Sequence, residues 1–147
     1  MKHTGPWSRA RIDAHLERTV IPVRLACATQ AGHPHVLSLW YLWRDGAVWC
    51  ASGADAQVIR WLRAEPRCGF EVARDDPPYH GVRGRGHASL DPARGPELLG
   101  ELVDRYLGTR ASGFARWLLS RADDEIAIRI TPQRLLSWDF TERMSGP

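Results

Sequence analysis

Residues 20–90 carry short apolar, β-prone runs separated by turn residues, which read as four or five strands with one short helix set into them. VRLACAT at 23–29 reads as a strand, AGHP at 31–34 supplies a turn, and 35–43 (HVLSLWYLW) is rich in β-prone residues on both faces. Asp45-Gly46 is a tight-hairpin pair, and 47–52 returns as a third strand. The period then changes to that of a helix over 54–64. Val58, Ile59 and Leu62 share one face there, Ser52 or Asp55 can cap the start, and Glu65-Pro66 ends it. Strands follow at 67–73 and, beyond the Pro77-Pro78 loop, at 82–90. Helical spacing is also found at 8–18, with Ile12 and Leu16 as its apolar stripe, and across 96–121, where Gly108 divides two helices. Two last strands are expected at 125–130 and 134–140, separated by Thr131-Pro132.

Six or seven strands joined by short hairpins, with one inserted helix and a late helix pair, predict a mainly β (α+β) antiparallel barrel with peripheral helices. A doubly wound parallel sheet would need regular strand–helix alternation, which is absent. The 147 residues read as one domain, with 1–7 and 141–147 expected to be flexible. Strand 35–43 is apolar on both faces, so its outer face is expected to meet a partner subunit or a cofactor.

Composition narrows the chemistry. Of the 20 basic residues only Lys2 is a lysine, which all but removes Schiff-base catalysis. A net charge of +3 is too small and too evenly spread for nucleic acid, but suits a small anion held by a few arginines. Cys27, Cys50 and Cys68 show no metal spacing and read as buried free thiols. The histidines form no metal constellation, and no catalytic residue set is expected. No apolar run is long enough to span a bilayer and the first residues do not resemble a secretion signal, so a cytoplasmic location is expected.

The order of motifs resembles the pyridoxamine 5′-phosphate oxidase-like split β-barrel flavoproteins. The residues that carry the resemblance are Leu25-Ala26-Cys27-Ala28-Thr29, Gly32, Pro34, Val36, Leu39-Trp40, Ser52, Glu65-Pro66-Arg67, Gly86-His87-Ala88 and the ending Ile130-Thr131-Pro132, Arg134 and Trp138-Asp139-Phe140. The resemblance implies a six- or seven-stranded antiparallel split β-barrel and a homodimer with cofactor grooves between the subunits. It implies FMN, or in related branches the F-420 type deazaflavin, transferring hydride to or from a small organic substrate. A non-catalytic ligand-binding barrel is the further alternative.

A flavin ring needs a flat apolar slot and a few hydrogen bonds. Ser38 and Trp40 share one strand face and can supply both, with Trp138 as a second wall. Ser52 lies at a helix start that suits a phosphate. Relatives hold the cofactor phosphate with a lysine where Val58 stands here. Gln57, Arg60 and the same-face pair Arg83 and Arg85 are the candidates to replace it.

Overall fold

The computed structural model describes residues 1–147. Its elements are β1 (Lys2–Thr4), α1 (Arg9–Arg18), β2 (Val23–Ala28), β3 (Pro34–Leu39), β4 (Tyr41–Arg44), β5 (Ala47–Gly53), α2 (Gln57–Ala64), β6 (Arg67–Ala73), β7 (His80–Asp91), α3 (Gly95–Leu107), α4 (Gly113–Leu119), β8 (Glu125–Asp139) and α5 (Thr141–Met144). The main sheet runs β3-β2-β6-β7-β8-β5-β4, antiparallel throughout, and β1 adds to β8 in parallel.

Its closure turns on Trp40. β3 and β4 are consecutive in the chain, yet they sit at opposite ends of the sheet order. The expected single strand 35–43 is therefore two strands bent at Trp40, and the barrel closes through the covalent chain. The bend accounts for the two-sided hydrophobicity. Tyr41 and Trp43 point into the main core, while Trp40 and Leu42 point outward and pack under α3, beside Leu98, Leu102 and Tyr106. The outer face of β4, for which a partner subunit or a cofactor was expected, is covered together with that of β5 by the chain's own helix. β3 remains bare on its outer side, with Val36 64% exposed.

Local signals account for most boundaries. Ser8 caps α1 by accepting from the Arg11 N–H, and Ile12 and Leu16 are fully buried. The Asp45-Gly46 turn has φ of 53° and 67°, the left-handed pair a tight hairpin requires. α2 begins at Gln57, not 54, and its N-cap Ala56 offers no side-chain bond, so neither Ser52 nor Asp55 caps it.

Two further expectations are corrected. The strands 125–130 and 134–140 are one continuous β8. Pro132 is accommodated because a bulge opposite Arg85 and Gly86 absorbs Gln133, and because β5 pairs no further than Ile130. β1 takes up the free edge from Arg134 onward. Residues 1–7 are anchored, not flexible. Lys2–Thr4 pair with Arg134–Leu136, the Trp7 N–H donates to Ser137 Oγ, and Trp7 is 4% exposed.

Asp139 locks that N-terminal arm. Its carboxylate accepts from Trp7 Nε1 (2.9 Å), Arg11 Nη2 (3.0 Å) and the Thr141 N–H (3.0 Å). The Thr141 hydroxyl and N–H, then Trp7 and Arg11, hold its pKa down to about 2. A depressed carboxyl pKa contributes stability above its unfolded value near 4 and loses it as pH falls toward 2. Asp139→Asn is expected to cost about 2 kcal/mol at neutral pH. In urea unfolding curves, its gap from the wild type should shrink steadily between pH 5 and pH 2.

Candidate functional site

Two openings lie along the outer side of β3. The first is a groove of about 320 Å³ between the β3–β4 bend, the end of β5, and helices α3 and α4. Ser38 and Trp40 enter it from one edge and Ser52 from the other, while Leu99, Leu102 and Phe114 supply apolar wall. Trp40 is held in place. Its ring stacks on Tyr106 at 5.0 Å and 6° between planes, and meets Phe114 edge-on at 6.5 Å. Tyr106 is itself fixed, donating to the Ile21 carbonyl (2.8 Å) and accepting from the Tyr41 N–H (3.2 Å). The one ionisable group in the groove wall is Glu125, at the start of β8 and paired with Gly53 of β5. Burial raises its pKa, against the lowering effect of Arg121. A partly desolvated carboxyl beside two hydroxyls can hold or release a proton there.

The second opening is a cavity of about 520 Å³ over β2, β6 and β7. Arg85, Arg67, His87 and Gln133 line it around a floor of Ala26, Cys27 and Gly69. Arg67 is bound by Glu65, but Arg85 has no carboxylate partner. Directly across the sheet from Arg85 is Arg134, exposed and likewise without an acid. Facing like charges destabilise a sheet pair, and a bound anion between them reverses the sign. Pro34 lines this cavity and Ser38 the groove. They are four residues apart on one face of β3, or roughly 13 Å at the usual strand rise.

The structure thus gathers Ser38, Trp40 and Ser52 into one groove and sets Arg85 in the neighbouring cavity. Arg83 shares the exposed face of β7 with Arg85, but pairs with Glu71 and lies over the Trp138 ring at 5.3 Å. Trp138 packs against Phe140, away from the groove it was expected to wall, and its buried Nε1 has no acceptor. Gln57 and Arg60 are exposed on α2 and line neither opening. Val58 belongs to the main core and cannot serve an anion. Sequence reasoning missed Glu125 and the α3–α4 wall, and placed Arg134 in the C-terminal motif without a binding role. The Leu99 and Leu102 stripe was visible, but only as a generic helix face. The cysteines are free and buried, as expected, and burial pushes all three thiols up, Cys68 to about 12.

Comparison with known proteins now bears on this arrangement. A conserved hypothetical protein of Mycobacterium tuberculosis, Rv2991, superimposes with a TM-score of 0.77 at 26% identity, over 97% of this chain and 90% of its own. An F420 reductase matches with a TM-score of 0.71 at 23% identity, over 84% of this chain and 94% of its own. A candidate pyridoxamine 5′-phosphate oxidase of Listeria innocua matches with a TM-score of 0.67 at 18% identity, over 86% and 94%. The fold is the antiparallel split barrel that these structures share. No family model matches the chain, and no curated protein matches it. In this split barrel no helix is long and apolar enough to cross a membrane.

Proposed function

We propose that this split barrel is an FMN-dependent oxidoreductase that works as a homodimer on a small organic substrate. The observation that carries the reading is the pair of openings on one face of β3, a ring-sized apolar groove at Ser38 and, roughly 13 Å along the strand at Pro34, a cavity that holds Arg85, whose cross-strand neighbour Arg134 is likewise free of acid. That spacing suits a flat heterocycle with a phosphorylated side chain, and the donor set fits such a group. Arg85 and Arg134 would hold the phosphate. Ser38 and Ser52 would bond the polar edge of the ring, and Trp40, braced by Tyr106, would form its wall. Leu99, Leu102 and Phe114 would exclude water. FMN when bound supplies hydride transfer, so the chain needs only to place the ring and the substrate. Glu125 would keep a proton available at the groove wall.

The partner would be a second copy of this chain lying against the outer face of β3, β2, β6, β7 and β8. That face exposes Val36 and Leu136. The F-420 type deazaflavin is the second reading, favoured by the likeness to an F420 reductase and by Val58 in place of a lysine.

An absorption spectrum of the purified protein tests the reading, together with sedimentation at the same concentration. A flavin band, or a blue-shifted deazaflavin band, is expected on a species of twice the chain mass. A colourless protein that takes up neither cofactor would leave only a ligand-binding or structural barrel.

A further inference from the structure

The end of the barrel plugged by α1 carries a third opening, of about 620 Å³. It is built by α1, the α1–β2 link, the end of β6 and the start of β7. Arg11, His15 and Arg18 reach it from α1 at positions i, i+4 and i+7, which lie on one helix face. Arg74 and His80 face them across the opening, and Trp7 forms part of the wall.

Its charge balance sets this cavity apart. No aspartate or glutamate lines it. The cavity holding Arg67 and Arg85 includes Glu65, and the one holding Arg44 and Arg94 includes Glu97 and Glu101. Here Arg11 is offset from the rim by Asp139, and Arg74 by Asp76, while Arg18 has no acid at all.

Each histidine gives a ring N–H to a backbone carbonyl. His15 Nε2 lies 3.0 Å from the Val72 carbonyl and can only donate to it, which leaves Nδ1 to the Thr19 hydroxyl. His80 Nδ1 likewise meets the Pro78 carbonyl at 3.0 Å, which directs its Nε2 elsewhere. The two rings stand 5.8 Å apart and edge-on, each against Trp7. Burial lowers the pKa of His15, the bond to the Val72 carbonyl raises it, and the nearby His80 and Arg11 lower it further. Three guanidiniums around a hollow without a lining carboxylate repel one another unless an anion joins them.

We propose that this cavity binds the phosphate group of a small phosphorylated molecule, with Arg18 and Arg74 as its principal ligands and Arg11 and His80 at its margin. The volume exceeds that of a bare phosphate. The remaining space lies against Ala14, Val20 and Ile21, which suits a compact organic portion.

Inorganic phosphate and pyrophosphate, titrated into the full chain at low ionic strength, test this by calorimetry and by the ring-proton resonances of His15 and His80. Saturable binding is expected, with both resonances shifting together. Arg18→Gln combined with Arg74→Gln should weaken binding at least tenfold and abolish the shifts. Arg134→Gln, on the β3 side, should leave them unchanged, as should occupancy of the flavin groove. Both arginines are solvent-facing, so the double variant should unfold in urea as the wild type does. Resonances that stay fixed through either titration, or a double variant that binds as the wild type does, would overturn the proposal.

Discussion

Gly95→Ala is expected to cost about 2 kcal/mol net and to remove cofactor binding at the β3 groove. A methyl group at residue 95 would stand 1.8 Å from the Glu125 carbonyl oxygen and 2.4 Å from its carbon. Both are backbone atoms of β8, so no rotamer change relieves the clash. Alanine returns up to about 1 kcal/mol of helix propensity against an overpacking cost of about 3 kcal/mol. The strain falls on the site itself, because α3 must lift from β8 and carry Leu99 and Leu102 away from Glu125. Gly100→Ala on the same helix is the internal control. Its new methyl would meet only the far end of the Arg110 side chain, at 2.9 Å, which can swing aside. Urea unfolding and FMN titration of the two variants should therefore diverge sharply.

Arg85→Gln with Arg134→Gln is expected to lower FMN affinity about 100-fold. Each arginine would give the phosphate a charge-assisted hydrogen bond, worth about 1.5 kcal/mol or about tenfold in affinity. Stability should move the other way or not at all, since the substitution relieves two unpaired like charges opposed across β7 and β8. Loss of ligand affinity without loss of stability separates a binding role from a structural one. The single variant Arg83→Gln should have little effect on FMN, because its guanidinium is already committed to Glu71.

What the sequence made legible was local. The hairpins at 31–34 and 44–46, helix α1, β6 and the α3 helix ending at Gly108 rest on caps, turns and periodicity within a few residues. What it hid depends on pairing between distant segments. The bend at Trp40 was invisible because an apolar residue on each face describes a two-sided strand as well as two strands that meet at a corner. Pro132 looks like a stop, and only the loss of β5 as a neighbour beyond Ile130 allows β8 to pass it. The anchoring of residues 2–7 needs Arg134 to Ser137, more than a hundred positions away. The same distinction divides the site. Ser38, Trp40 and Ser52 could be placed from strand phase and a motif, and they converge. Gln57 and Arg60 depended on where α2 starts, and that start lies three residues later than the pattern implied. Glu125 and Arg134 gain meaning only from their partners across the sheet, Gly53 and Arg85.

The most direct test of the central claim compares FMN with riboflavin, which shares its ring and lacks its phosphate, in equilibrium titrations of the wild-type protein followed by tryptophan and flavin fluorescence. The account predicts FMN binding at about micromolar Kd and riboflavin weaker by about 100-fold, the free energy assigned to Arg85 and Arg134. Equal affinities for the two, or no saturable binding of FMN or the deazaflavin below about 100 μM, would contradict it.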